Sequence, residues 1–295
     1  MNTYIIQNEY LQIGLKQKGG ELFSIQSKAN QQEYMWEADP AYWGRHSCIL
    51  FPIVGKVWND TYRIDGQSFT MTQHGFLRDL DFEVIAQSED AIIFQYEITE
   101  ALASQYPYSC LIRITYTVIA NTLSVVYAVE NLEGQEIYFS IGAHPGFRCP
   151  LLPNEKRADY KLVFNQAETA VRYLIENGYQ TGATEPVLEN TTTIAITDHL
   201  FDNDALIFKH LQSNKVTLVN NQETPILTFH FPNTPFLGIW SKSPDSPFVC
   251  IEPWYGIADK LHADWDYKDK EGVVALEADG IFSFEHRIEI HFKGQ

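Results

Sequence analysis

"LIRITYTVIANTLSVVYAVENL", Leu111 to Leu132, alternates apolar and polar residues on both sides of one short break. Leu111–Ile119 and Leu123–Val129 each keep period two, the spacing at which a strand sends every second side chain to one face. The Ala-Asn-Thr connection between them is short, so the stretch reads as a β-hairpin. "TYRIDGQSF" repeats the plan around Asp65-Gly66, a dipeptide suited to a tight turn. "FEHRIEIHFKG" sets Phe284, His286, Ile288, Ile290 and Phe292 on one face, and Glu285, Arg287, Glu289, His291 and Lys293 on the other. That is the pattern of a half-buried strand.

Working outward, "AIIFQYEI", "IYFSIGA", "ALIFK", "KVTLV", "PILTFHF" and "PFVCIE" are further strand-like runs separated by Gly, Pro, Asn or Asp. Helical periodicity is hard to find over any window of about twelve residues, so the fold class is all-β. No proline-rich linker, low-complexity tract or charge block divides residues 1–295, which are expected to form one domain. No fixed-period repeat points to a propeller, which leaves paired sheets.

The formal net charge is −17, from 38 acidic against 21 basic residues. Such a chain repels phosphate backbones and anionic bilayers, which argues against nucleic acid and membrane partners and for a small ligand. The N-terminal segment lacks a basic stretch leading into an apolar run, and no stretch approaches the roughly 20 apolar residues of a membrane span. A cytoplasmic location is expected. Cys48, Cys110, Cys149 and Cys250 form no C-x-x-C pair and are expected to be free, largely buried thiols.

Three polar residues stand in unusual company: His74 in "TQHGFLRDL", His144 in "GAHPGF" and Glu252 in "FVCIEPWYGIAD". His144 and Glu252 each close a strand-like run and precede a proline, which holds them in the extended region. Phe248, Cys250 and Glu252 share a face by alternation, so the carboxylate continues an apolar row, where desolvation raises its pKa and strengthens it as a base. Structural readings stand beside these. A histidine among apolar residues is commonly a satisfied core or edge residue, the reading taken for His230 and His286. A carboxylate such as Glu252 can equally cap a turn or pair with an arginine. The small neighbours of His74 and His144 leave room for a ligand.

"LFPIVGKVWNDTYRIDGQSFTMTQHGFLRDLDF", "SIGAHPGFRCP" and "FVCIEPWYGIAD", in this order, resemble the aldose 1-epimerase (galactose mutarotase) superfamily, most closely its LacX-like branch. The resemblance implies a large antiparallel β-sandwich and a mutarotase that interconverts α and β anomers without a cofactor. It makes Glu252 the general base at the anomeric hydroxyl, His144 the general acid at the ring oxygen, and His74 a hydrogen-bonding partner of the sugar near that oxygen. A carboxylate and an imidazole suit this chemistry, since one proton leaves and one arrives at neighbouring oxygens near neutral pH.

The resemblance also suggests binding groups. Lys56, nine residues before Asp65, stands where galactose mutarotases carry a sugar-binding arginine, and lacks that residue's planar fork. Asp204 precedes a strand as the family's hydroxyl-binding aspartate does, with Asp198 and Asp202 as alternatives. Arg45 could reach the pocket, although surface ion pairs are a common fate of arginine. Arg78 and Arg148 follow the site histidines by four residues and could bind an anionic group. Trp240, Trp254 and Tyr255 could stack on the apolar face of a sugar. The expected partner is an aldohexose, free or phosphorylated, and the protein itself a monomer or homodimer. Two other readings compete: a carbohydrate-binding or sensing module without turnover, and a metal enzyme using His74, His144 and Glu252. The chain lacks the closely spaced H-x-H pair common in cupin-type metal sites, so no metal is expected.

Overall fold

The computed structural model describes residues 2–292. Among these, regular structure consists of antiparallel strands joined by turns and single-turn 3-10 helices. The stretch that opened the reading is a hairpin, Cys110–Ile119 with Thr122–Asn131, buried at every second residue along both strands. Its connection is tighter than expected, because Thr122 already pairs with Ile119, leaving Ala120 and Asn121 as the turn. Asp65 and Gly66 both take positive φ between Thr61–Ile64 and Gln67–Thr70, as a two-residue hairpin turn requires.

The hairpin sits inside a nine-stranded sheet. Its order runs Tyr179–Ala195, Tyr160–Glu176, Lys215–Asn220, Pro225–His230, Ile281–Ile290, Thr122–Asn131, Cys110–Ile119, Ala91–Ile98 and Glu83–Gln87. A five-stranded sheet, ordered Leu206–Lys209, Phe236–Trp240, Phe248–Tyr255, Ile141–Arg148 and Ser47–Leu50, packs against it. Phe147 meets Phe229 and Phe164 meets Phe208 across the gap, with ring centroids 6.1 and 6.3 Å apart. Ile49, Ile141, Ala143, Phe147, Leu237, Ile239, Val249 and Ile251 of the smaller sheet share one apolar cluster with Ile112, Ile114, Leu123 and Val125 of the larger. The expected β-sandwich is present. A further sheet, Thr3–Gln7, Leu11–Lys16 and Leu22–Ser27, adds Ile6, Ile13 and Ile25 to that cluster.

The smaller sheet is buried on both faces. Ser47–Leu50, Ile141–Arg148 and Phe248–Tyr255 are almost wholly buried instead of alternating. The face turned away from the sandwich carries a second apolar cluster that includes Cys48, Leu50, Ala205, Ile207, Phe236 and Trp254. Something other than the larger sheet must cover that face, and there the polar residues of the site are found.

The cysteines are free and buried, as expected. No described helix is long and apolar enough to cross a membrane. "IYFSIGA", read as one run, divides at Ser140: Ile137–Phe139 pairs with Val274–Leu276, whereas Ile141–Arg148 enters the five-stranded sheet.

Candidate active site

Strands Ile141–Arg148 and Phe248–Tyr255 pair at Ile141 with Tyr255 and at Gly142 with Trp254, and again at Gly146 with Cys250 in the same register. The interval between holds Pro145 and Pro253, which have no N–H to give the ladder. That constant register sets His144 opposite Glu252. The two side chains rise on the outer face, with His144 Nε2 3.2 Å from Glu252 Oε2.

Both groups are buried, His144 at 7% and Glu252 at 1% exposure, so their charges are poorly solvated. Burial pulls the His144 imidazole down to about 3, helped by the cations Arg78 and Arg45. Burial pushes the Glu252 carboxyl well above the usual range, against a smaller pull downward from the nearby Trp254 indole N–H, and Asp204 adds to the rise. Burial thus works against both charges, and a proton shared by the two side chains is drawn toward the carboxyl. Their contact is not an aligned hydrogen bond: Glu252 Oε2, His144 Nδ1 and Trp254 Nε1 are buried without hydrogen-bond partners. These unspent groups face a cavity able to supply the missing partners.

His144 is held by its neighbours. Trp43 stacks on it at 4.5 Å and 27°, Trp240 meets it edge-on at 5.6 Å, and His74 is perpendicular to it at 5.7 Å. His74 takes φ +67° and is clamped to the apolar segment upstream: its N–H donates to the Gly55 carbonyl, and its own carbonyl accepts from the Phe51 N–H. His74 Nδ1 accepts from the Gly55 N–H at 3.2 Å, which puts the proton of the neutral ring on Nε2, 3.3 Å from the Gln73 side-chain amide. Burial, then the His144 ring, keep His74 well below the usual histidine range. The next residue must be glycine, because φ is +69° and a Cβ there would lie 2.0 Å from the Phe51 carbonyl oxygen. Trp254 lies flat on the sheet over Gly238, where a Cβ would come within 2.5 Å of the indole.

These groups line a cavity of about 600 Å³. Glu252, His144, Trp240 and Trp254, from the outer face of the five-stranded sheet, make the floor, and His74, Arg78, Asp202 and Asp204 also line the cavity. The structure thus brings together five of the seven residues singled out: Glu252, His144, His74, Trp254 and Asp204. Asp204 has φ +67° and its Oδ1 accepts from the Ala205 N–H at 2.8 Å, and Asp202 lies beside it. Asp198 does not line the cavity.

Lys56 and Arg45 do not line it either. Lys56 Nζ donates to the Asn177 carbonyl and lies over the Tyr179 ring, so its charge secures the turn between the two longest strands. Arg45 forks onto Asp79 at 3.1 and 3.2 Å in an adjoining cleft. Arg148 pairs with Glu37, and Tyr255 faces the sandwich interior, as its odd position on the strand requires. His230 pairs with Glu289, in keeping with its structural reading; His286 is a core residue stacked on Phe229, but both its ring nitrogens are buried without hydrogen-bond partners, so it is not the satisfied histidine expected.

The sequence profile described as "Aldose 1-epimerase" matches residues 2–265. The chain belongs to the aldose 1-epimerase family. It is 35% identical over 286 residues to the chromosomal protein LacX of Lactococcus lactis subsp. lactis, covering 93% of this chain and 94% of that one. Its fold superposes with TM-score 0.93 on a galactose mutarotase related enzyme from Lactobacillus acidophilus, at 32% identity over 99% of this chain and 98% of that one. A galactose mutarotase-like protein from Lactobacillus casei gives 0.92 at 30% identity, over 98% of this chain and all of that one. The architecture is the galactose mutarotase-like sandwich.

Sequence reasoning missed several residues that line this cavity. Trp43, Gln73, Ile175, Phe201 and Lys242 line the cavity from separate loops and from the tip of the Tyr160–Ala195 hairpin. Only chain folding joins them, and no local pattern marks them. Among residue types able to hold a metal, the structure gathers His144, Cys250 and Glu252, not the set with His74 that was weighed from sequence.

Proposed function

We propose that this protein is a mutarotase, acting on an aldose by acid/base opening and closing of the ring at C1, within one catalytic domain. The observation that carries the reading is the buried, directly opposed Glu252 and His144 pair on the cavity floor. Ring opening needs the C1 hydroxyl to lose a proton while the ring oxygen gains one and the C1–O bond breaks. Two groups sharing one proton can perform both transfers without external reagents.

In this account the sugar enters between the pair and the cavity mouth, and its hydroxyls supply the hydrogen bonds that the empty floor lacks. Glu252, as carboxylate, takes the hydroxyl proton, and His144, as imidazolium, protonates the ring oxygen. The open chain then rotates about C1–C2. Closure on the other carbonyl face reverses both transfers, starting from protonated Glu252 and neutral His144. Closure therefore leaves Glu252 as carboxylate and His144 as imidazolium, the state from which opening began, so no net proton is gained or lost in a turnover. His74 Nε2–H donates to the sugar near the ring oxygen, Trp254 and Trp240 cover its apolar face, and Asp204 accepts from a hydroxyl. Arg78 offers a cation for an anionic substituent, which makes phosphorylated aldohexoses substrates to test beside the free sugars.

The test is NMR magnetisation exchange between α and β anomers of glucose, galactose and their 6-phosphates. Acceleration of at least one sugar supports the reading and ranks the substrates. Binding without acceleration on every sugar would replace it with a carbohydrate-sensing role.

A further inference from the structure

We infer that the cavity floor is also a zinc site, in which His144, Cys250 and Glu252 close on one divalent ion and thereby block the sugar pocket. One nitrogen, one sulfur and one oxygen from these residues lie within 4.8 Å of one another, and all three residues are buried. Cys250 and Glu252 project from the same face of one strand, and His144 stands opposite on the next. In a tetrahedral zinc site, nitrogen and oxygen ligands lie about 3.4 Å apart, and sulfur about 3.6 Å from either. His144 Nε2 and Glu252 Oε2 are already 3.2 Å apart. The three ligand atoms span no more than 4.8 Å, so the set must close by about 1 Å at most to reach zinc geometry.

A second observation points to a ligand: Glu252 Oε2 is buried with no hydrogen-bond partner. Imidazole, thiolate and carboxylate form a donor set of the borderline-soft kind that selects zinc over magnesium or calcium. Three protein ligands leave a fourth position, open to the cavity, for water. Binding releases two protons, one from the Cys250 thiol and one from the pair, so the bound site carries Zn²⁺, thiolate, carboxylate and neutral imidazole. The metal would occupy the position where a sugar meets the acid/base pair, and would act as an inhibitor. The inference stands independently of the proposed reaction, because a metal can be bound by this cluster whether or not the protein turns sugar over.

The test uses cobalt(II), then zinc, added to the purified full chain. The expected result is one equivalent bound, with a thiolate-to-cobalt charge-transfer band that one equivalent of zinc abolishes. Cys250→Ser should lose the band and weaken zinc at least tenfold in calorimetry while keeping its sugar affinity. Cys48→Ser, whose thiol lies across the strand from His144, should keep both band and affinity. Where a sugar is turned over, zinc should raise KM and leave kcat unchanged. Absence of the band in the unaltered protein, its survival in Cys250→Ser or its loss in Cys48→Ser would overturn the inference. The band in the unaltered protein needs no variant to fold, and neither it nor the calorimetry needs the proposed reaction to be correct.

Discussion

Glu252 and His144 face each other across adjacent antiparallel strands at the one interval where Pro145 and Pro253 interrupt the ladder, with Oε2 and Nε2 3.2 Å apart. The backbone gap and the side-chain pair belong together. Prolines stiffen both strands without supplying N–H groups that would satisfy the site's acceptors. The pair consequently meets the cavity with hydrogen-bonding capacity unspent.

Sharing one proton sets the pH dependence. Burial lowers His144 to about 3 and raises Glu252 well above the ordinary carboxyl range, so the singly protonated pair persists from about pH 3 up to the raised Glu252 titration. kcat/KM, which reports the free enzyme, should stay flat through about pH 4.5, where an unperturbed glutamate titrates, and fall on the alkaline side as the last proton leaves. A rate that halves near pH 4.5 would show an isolated carboxylate base instead of a coupled pair.

The chemistry described needs no bound ion. Exhaustive EDTA treatment followed by gel filtration should leave mutarotation undiminished. Loss of rate that a divalent metal restores would put a resident metal in the reaction.

His74 depends on its neighbour. Gly75→Ala puts a Cβ against the Phe51 carbonyl and strains a residue at φ +69°. The clamp on His74 should open, lowering kcat/KM at least tenfold and stability by more than about 1 kcal/mol in urea unfolding. Unchanged kinetics would detach His74 from substrate binding.

Glu21 is a structural carboxylate near the site. Burial alone would raise its pKa, but hydrogen bonds from His46 and the charge of Lys16 overturn that and hold it at about 2. Its folded pKa lies below the unfolded value of 4.5, so its contribution is complete above about pH 4.5 and is lost as pH falls toward 2. The shift corresponds to roughly 3 kcal/mol. Denaturant unfolding of Glu21→Gln at pH 6 and at pH 3 should show a smaller difference than the unaltered protein; equal differences would contradict this role.

What the sequence disclosed follows from how each element is buried. The Cys110–Asn131 hairpin was legible because one face meets the core and the other meets water. Tyr160–Glu176 and Tyr179–Ala195, the longest strands, went unread because bulges between Val163 and Ile175 break their period. Glu252 and His144 stood out as polar residues ending apolar runs before proline, a local signal. Lys56 and Arg45 were misplaced because sequence position does not reveal that Asn177 and Asp79 hold their charges. Trp43, stacked on His144, is brought there by a loop about a hundred residues upstream, and nothing local announces it.

The central claim is that Glu252 moves the proton. The most direct measurement is anomer exchange by NMR alongside sugar affinity by calorimetry, for the unaltered protein and Glu252→Gln. Glutamine keeps the shape and removes the titrating oxygen, so exchange should fall by about 10²-fold or more while affinity changes only a few-fold. Exchange that survives in Glu252→Gln at the unaltered rate would contradict the account and leave the cavity as a binding site alone.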